Sequence, residues 1–539
     1  METAILSTRI FTGDAARPWA EALGVAGDRI IAVGKNEEVK AACGREAQVF
    51  ELPGRLVTPG IVDAHLHFVN FGLYLQRLDL RDLPSIEDCR TRVRQAVATR
   101  KPGEWIIGRA WNEHVWKEHR EPTARDLDDI SPHHPVMLIR ACGHTVWLNS
   151  LAMKLARIEK GTPDAPGARI ERDPRTGEPT GLLREYRKII EKEIPPPSLD
   201  ERKEAVLRAQ HEALRFGVTG VHSCETLREW EALAALEAEG KLKLRVHHLL
   251  PPEELDPARS RRIELGKGSE RLWFGQVKLF ADGSLGSGTA LLHEPYADNP
   301  SERGLAVLTS RELQERIELA YESGGDVGAH AIGDLAVTNV LKAIGAARKK
   351  YPGPWRDRIE HVQLMHPADF TVFGDLGVVA SVQPVHLLTD MPVAEKRWGM
   401  DRCRYSYAWK SMRTTGIRLQ FGSDAPVERI NPLLSFHAAL TRQSLSGEPR
   451  DGWFPGERLK LEEVIHGFTQ VPAWVSRKEH QLGGLVPGKA ADLTVFSRDL
   501  FQTPPNHLAS VDVEMTMVNG EVLYHKESGR STLDRDLRG

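Results

Sequence analysis

Five cysteines occur in 539 residues, at 43, 89, 142, 224 and 403, and no two form a Cys-x-x-Cys pair. An odd, scattered set suits reduced, packed thiols better than a disulfide framework or a zinc ribbon. Long apolar runs are also missing. The longest stretch of that kind, Gly377 to Leu388, is interrupted by Gln383, Pro384 and His386 and is far shorter than the roughly 20 residues a membrane span requires. Nor is there an excess of one charge: 72 Lys+Arg against 75 Asp+Glu leave −3, with no basic block of the kind that neutralises phosphates. No Gly-x-Gly-x-x-Gly follows a strand-like run and no Gly-x-x-x-x-Gly-Lys-Ser/Thr occurs, so nothing supports a nucleotide cofactor. The expected partner is a small molecule, with no nucleic acid and no membrane. Glu2, Arg9 and Asp14 fall where a signal peptide needs a basic start and an apolar core, which makes the cytoplasm the expected compartment.

What is present is the composition of a folded chain, 41% hydrophobic and 27% charged. The first fifty or so residues alternate short β-rich runs with Gly turns, and the last sixty do the same, with Asn519-Gly520 marking a hairpin. Each fragment is too short for a good core, so the two are expected to pool their strands into one small β-sandwich, residues 1–55 and 484–539. Between them, at 56–483, short apolar runs ending at a polar residue alternate with helical periodicity. Eight such runs, LVTPGIVDAHLHF, GVTGVHSCE, LKLRVHHLLP, LWFGQVKLFADG, GGDVGAHAIGD, RIEHVQL, GVVASVQPVH and IRLQFGSDAPV, predict an α/β chain built on a (β/α)₈ TIM barrel. Active-site chemistry is then expected at the C-terminal ends of the runs. An insertion after the first run, at about 69–199, mixes Trp, His and Arg and is read as a substrate-facing region, with a plain packing appendage as the competing account.

His65 and His67 stand two apart in the first run, so their imidazoles share one side of a strand and supply half of a divalent-metal site. Lys278 ends the fourth run. It is either the partner of a carboxylate such as Asp282 or an amine that adds carbon dioxide to become a metal-bridging carbamate. His330 and His361 end the fifth and sixth runs, and Asp424 ends the eighth, where capping of the next helix is its competing role.

This ordered set resembles the amidohydrolase superfamily. The phrases VTPGIVDAHLHF, KLFADGSLGSGTALL, HAIGDLAV, RIEHVQ, SVQPVH and GSDAPV resemble its family 3 branch, which is YtcJ-like and includes N-substituted formamide deformylase relatives. The resemblance implies that His65, His67 and Asp424 hold one metal, that His330 and His361 hold a second, and that carboxylated Lys278 bridges them. Zinc is the default ion, with one or two bound. It further implies a metal-dependent hydrolase of an amide or other C–N bond in a small N-acyl, N-formyl or cyclic substrate, with Asp424 as the catalytic proton shuttle. Trp111 and His144 are candidates for touching substrate, with local packing as the alternative. Two other readings stay open: a mononuclear deaminase-like amidohydrolase, and a catalytically silent barrel with a binding or regulatory role. A homodimer is the default assembly.

Overall fold

The computed structural model describes residues 2–141, 143–165 and 167–526; Cys142 and residues 527–539 of the expected terminal module lie outside the described residues. At its centre eight strands form one parallel sheet: Ile61–Leu66, Val218–Cys224, Arg245–Leu250, Leu272–Phe280, Asp326–Ala331, Arg358–His361, Val379–Val382 and Arg418–Phe421. These are the eight runs of the sequence. Parallel strands covered on both faces read as unbroken apolar stretches rather than as alternation. Accordingly, every residue of the second and third strands is buried.

Helices connect the strands, and their starts are written in the sequence. Thr226 and Glu229 form a reciprocal cap on Leu227–Ala238, and Thr309 and Glu312 do the same on Ser310–Glu322. Each such pair satisfies amide donors that the first turn leaves free. The eighth strand then returns to the first. Asp424 N donates to His65 O at 2.7 Å and His67 N donates to Ala425 O at 2.9 Å. Gly422 allows this approach, since a Cβ there would lie 2.5 Å from His65 N.

Both chain ends contribute to the remaining sheets of this unit. A six-stranded sheet orders Glu521–His525, Val513–Val518, Leu493–Phe496, Leu56–Pro59, Arg9–Phe11 and Trp19–Ala20. A four-stranded one orders Arg29–Gly34, Ala22–Ala26, Glu2–Leu6 and Gln48–Glu51. Ile5, Leu23 and Val25 of the smaller sheet share a core with Val57, Leu493, Val495, Met515 and Met517 of the larger. The Asn519-Gly520 turn holds φ of 52° and 73°, the left-handed pair a two-residue hairpin needs.

A second compact unit, Leu73–Glu201, has its own six-stranded sheet and two apolar cores. One core gathers Trp111, Trp116 and Trp147 around Ile106, Val136 and Leu138. The four described cysteines are buried and free of disulfides. Among the described residues no helix is long and apolar enough to cross a membrane.

Candidate metal centre

The first barrel strand and the residue just past its end carry Asp63, His65 and His67 at two-residue steps, and each has a different task. Asp63 Oδ1 accepts from Ser423 N at 3.0 Å and from His65 N at 3.2 Å, tying the first strand to the loop after the eighth. His65 and His67 aim their Nε2 atoms at a single oxygen, Asp424 Oδ1, at 3.4 and 3.6 Å. These three residues offer donor atoms that all lie within 4.8 Å of one another. Asp424 reaches them from a left-handed backbone conformation, φ 60°, which a short polar side chain tolerates. It does not cap the next helix: Asn431 does, accepting from Leu433 N at 3.0 Å.

The fifth and sixth strands supply His330 and His361, whose rings are 4.6 Å apart; His361 is 5.0 Å from the His65 ring. His361 and Val362 both hold positive φ, 74° and 45°. A β-branched residue rarely adopts that conformation, and such strain, of order 1–3 kcal/mol per residue, gathers at functional sites.

The hydrogen bonds fix which nitrogen of each ring is bare. His67 Nδ1 lies 2.8 Å from Cys224 O, and a carbonyl only accepts, so Nδ1 carries the proton and Nε2 is free. By the same logic His330 donates Nε2–H to Gly283 O at 2.8 Å and keeps Nδ1 bare. Gln383 donates through Nε2 to Ser381 O at 3.1 Å, which orients its Oε1 to accept from His361 Nδ1 at 2.7 Å. His65 Nδ1 is 2.9 Å from Glu360 Oε2. His67, His330 and His361 thus spend one N–H each on the protein and retain one lone pair each, the state in which a histidine ligates metal.

Electrostatics sort the same groups. Burial pushes His67, His330 and His361 below the ordinary imidazole range, His330 to about 4. Burial is also the largest single influence on His65 and works against its charge, but Glu360, Cys224 and the hydrogen bond to Asp424 together outweigh it and raise that imidazole well above its usual range. Asp424 is likewise opposed by burial, yet the hydrogen bond and charge of His65, with His361 and His386 beside it, hold its carboxyl well below the carboxylate range.

Lys278, two residues before the end of the fourth strand, is almost fully buried and close enough to perturb His65, His67, His330 and His361. Its Nζ has no hydrogen-bond partner among the described residues and lies 4.9 Å from the Phe280 ring. Asp282 is not its counter-ion. That carboxylate is taken by the amides of Leu291, Ile332 and Gly333 at 2.9–3.0 Å, and burial raises its pKa to about 7. An unpartnered buried amine among these imidazoles fits an amine that is converted to an anionic carbamate when cations are bound. The donor set of imidazole and carboxylate suits zinc among divalent ions.

Sequence reasoning missed three neighbours. Glu360 is fully buried against His65. Gln383 orients His361. His386 places Nε2 3.6 Å from Asp424 Oδ2, on the side away from His65. The phrases RIEHVQ and SVQPVH contain all three, and period-two spacing from Arg358 to Glu360 was the available signal. Of the two substrate candidates, Trp111 is buried, stacks on Trp116 at 5.5 Å and donates its indole N–H to Leu138 O at 2.9 Å, which accounts for it by packing. His144 is exposed and pairs with Glu185 at 3.0 Å.

With this geometry established, comparison with known proteins gives a consistent result. Residues 48–524 match the model of the Amidohydrolase family. The chain is 35% identical to "Putative amidohydrolase YtcJ" of Bacillus subtilis, covering 94% of this chain and 96% of that protein. It is 26% identical to "N-substituted formamide deformylase" of Arthrobacter pascens, covering 97% and 98%. A crystal structure of an uncharacterized metal-dependent hydrolase from Pyrococcus furiosus superimposes with a TM-score of 0.77 at 32% identity, over 93% of this chain and 99% of that one. The family match over residues 48–524 and the 35% identity over nearly the whole length of a YtcJ relative settle the kinship: the chain belongs to the amidohydrolase family, in its YtcJ-like branch.

Proposed function

We propose that the protein is a metal-dependent hydrolase that cleaves an amide or other C–N bond of a small molecule, N-acyl, N-formyl or cyclic. The observation that carries this reading is the gathering of four imidazoles near Asp424, with His65 and His67 aimed at its Oδ1 and with His67, His330 and His361 each giving one N–H away and keeping one nitrogen bare. His65, His67 and Asp424 are assigned to one ion, His330 and His361 to a second, and Lys278, as its carbamate, to both. Zinc is the ion the donors favour. When bound, such ions lower the pKa of water and polarise a carbonyl.

The chain's own groups do the rest. Asp424, held as the carboxylate, accepts a proton and returns it to the leaving nitrogen. His386, at its Oδ2, lines the side away from His65. Phe280 is 44% exposed, with its ring 5.4 Å from His330, and offers an apolar face to a substituent on the substrate. The sheets built from the two chain termini are read as one composite sandwich that anchors the first barrel strand, since Gly60 N donates to Asp492 O at 2.9 Å.

The test is metal analysis together with a hydrolysis panel of N-formyl, N-acyl and cyclic amides on the same preparation. Bound metal and hydrolysis that is lost on chelation and restored by zinc are expected. Undiminished hydrolysis by the stripped protein would overturn the proposal.

A further inference from the structure

The sixth strand reads Arg-Ile-Glu-His; its histidine joins the site and its glutamate lies against His65, while the arginine beside that glutamate has had no role. Arg358 and Glu360, two residues apart, point to the same side of the strand and are both fully buried. Arg358 Nε lies 2.8 Å from Glu360 Oε1. Its Nη1 donates to Ala64 O at 2.9 Å and meets His222 Nδ1 at the same distance. Glu360 Oε2 faces His65 Nδ1 at 2.9 Å. The pair therefore brackets one metal-site residue: the guanidinium holds the Ala64 carbonyl just before His65, and the carboxylate faces the ring of His65 itself.

Stability does not account for such a pair. Desolvating two charges costs about as much as their attraction returns, and apolar replacements of both partners are often neutral or stabilising. A second use of Glu360, as a ligand with His65 Nδ1 and Cys224 Sγ, is favoured by their proximity, with sulfur and nitrogen 3.6 Å apart. The guanidinium seated against Glu360 already supplies the positive charge at that spot, which leaves the carboxylate to accept the imidazole N–H.

We propose that Arg358 and Glu360 are positioning residues for His65. Glu360 accepts the Nδ1 proton, which fixes the ring with Nε2 toward Asp424 and makes that nitrogen a stronger donor, while Arg358 sets the backbone from which the ring projects. Carboxylate partners of ligating histidines are worth about 10–100-fold in metal affinity. The inference rests on the reading of this cluster as a metal centre and goes beyond it by assigning the buried pair that orients it.

The test compares zinc affinity, by chelator competition, in the full-length wild type, in Glu360→Gln, and in the double variant Arg358→Met with Glu360→Gln, which leaves no unpaired buried charge. Zinc binding about 10–100-fold weaker is expected in the double variant, with its unfolding midpoint at or above that of the wild type. A merely structural pair would lower the midpoint and leave the affinity of the folded protein unchanged, and that result would overturn the proposal. So would an additional ion held by the wild type and lost from Glu360→Gln. Should the single variant fail to fold, the double variant decides. In the zinc-loaded wild type, a slowly exchanging, downfield Nδ1–H resonance from His65 is also expected, and its absence would count against the clamp. A wild type that binds no zinc at all would instead overturn the metal-centre reading itself.

Discussion

Two groups of histidines sit inside the same barrel, and comparing them shows what makes a site. His65, His67, His330 and His361 stand at or just past strand ends, while His222 and His247 occupy the middle of the second and third strands. Burial lowers His222 and His247 well below the imidazole range, as it does His361, so a depressed pKa does not separate the groups. Partners do. The strand-end rings give one N–H each to a fixed acceptor and gather near one carboxylate. In the middle group, His222 Nδ1 faces a guanidinium, and neither nitrogen of His247 has a hydrogen-bond partner among the described residues. His247 stacks on Trp273 at 5.6 Å instead. Convergence on shared charge, rather than burial or residue type, marks the metal centre.

The strongest way to sharpen that contrast is to remove its focus. Asp424→Asn and His65→Ala are each expected to lower kcat by at least about 10²–10⁴-fold, the scale of a lost proton-transfer group, with circular dichroism unchanged. Activity near wild type in either variant would break the assignment. Lys278→Met comes next. It removes an unpartnered buried amine, so thermal stability should hold or rise while bound metal falls by at least half; full metal content would show that the amine bridges nothing.

Acidification should release metal in two stages. His65 lies well above the ordinary range and must shed its Nε2 proton to bind, so it is the first of the four whose protonation weakens affinity as pH falls. His67, His330 and His361 lie below that range and take their protons later, His330 at about 4. Metal content measured across pH should follow this order, and retention unchanged down to that pH would contradict it. The smallest effect belongs to the middle group. His247→Phe should leave kcat and metal content within about twofold and shift stability by about 1 kcal/mol, whereas a loss as large as that of His65→Ala would erase the distinction between the groups.

Much of this was legible in the chain itself. Eight apolar runs ending in polar residues fixed the order of the barrel strands, and two-residue spacing put His65 and His67 on one side. Helical periodicity between the runs marked the helices that connect them. What stayed hidden depended on contacts between distant strands. Glu360 is read from its own segment as an ordinary strand carboxylate, and only the apposition of the sixth strand to the first reveals its partner. Asp282, the natural counter-ion for Lys278 by proximity in sequence, is claimed by three amides from segments further along. In Leu73–Glu201, an indole that packs, such as Trp111, carries the same letters as one that lines a pocket, and only its burial against Trp116 and Trp147 tells them apart.

The most direct test is anomalous diffraction at the zinc edge from crystals of the metal-loaded protein. A peak among His65 Nε2, His67 Nε2 and Asp424 is expected, with a second near His330 and His361 and continuous density extending from Lys278 Nζ. Well-ordered crystals of zinc-saturated protein showing no peak between those side chains, or a peak only elsewhere in the molecule, would contradict the metal centre.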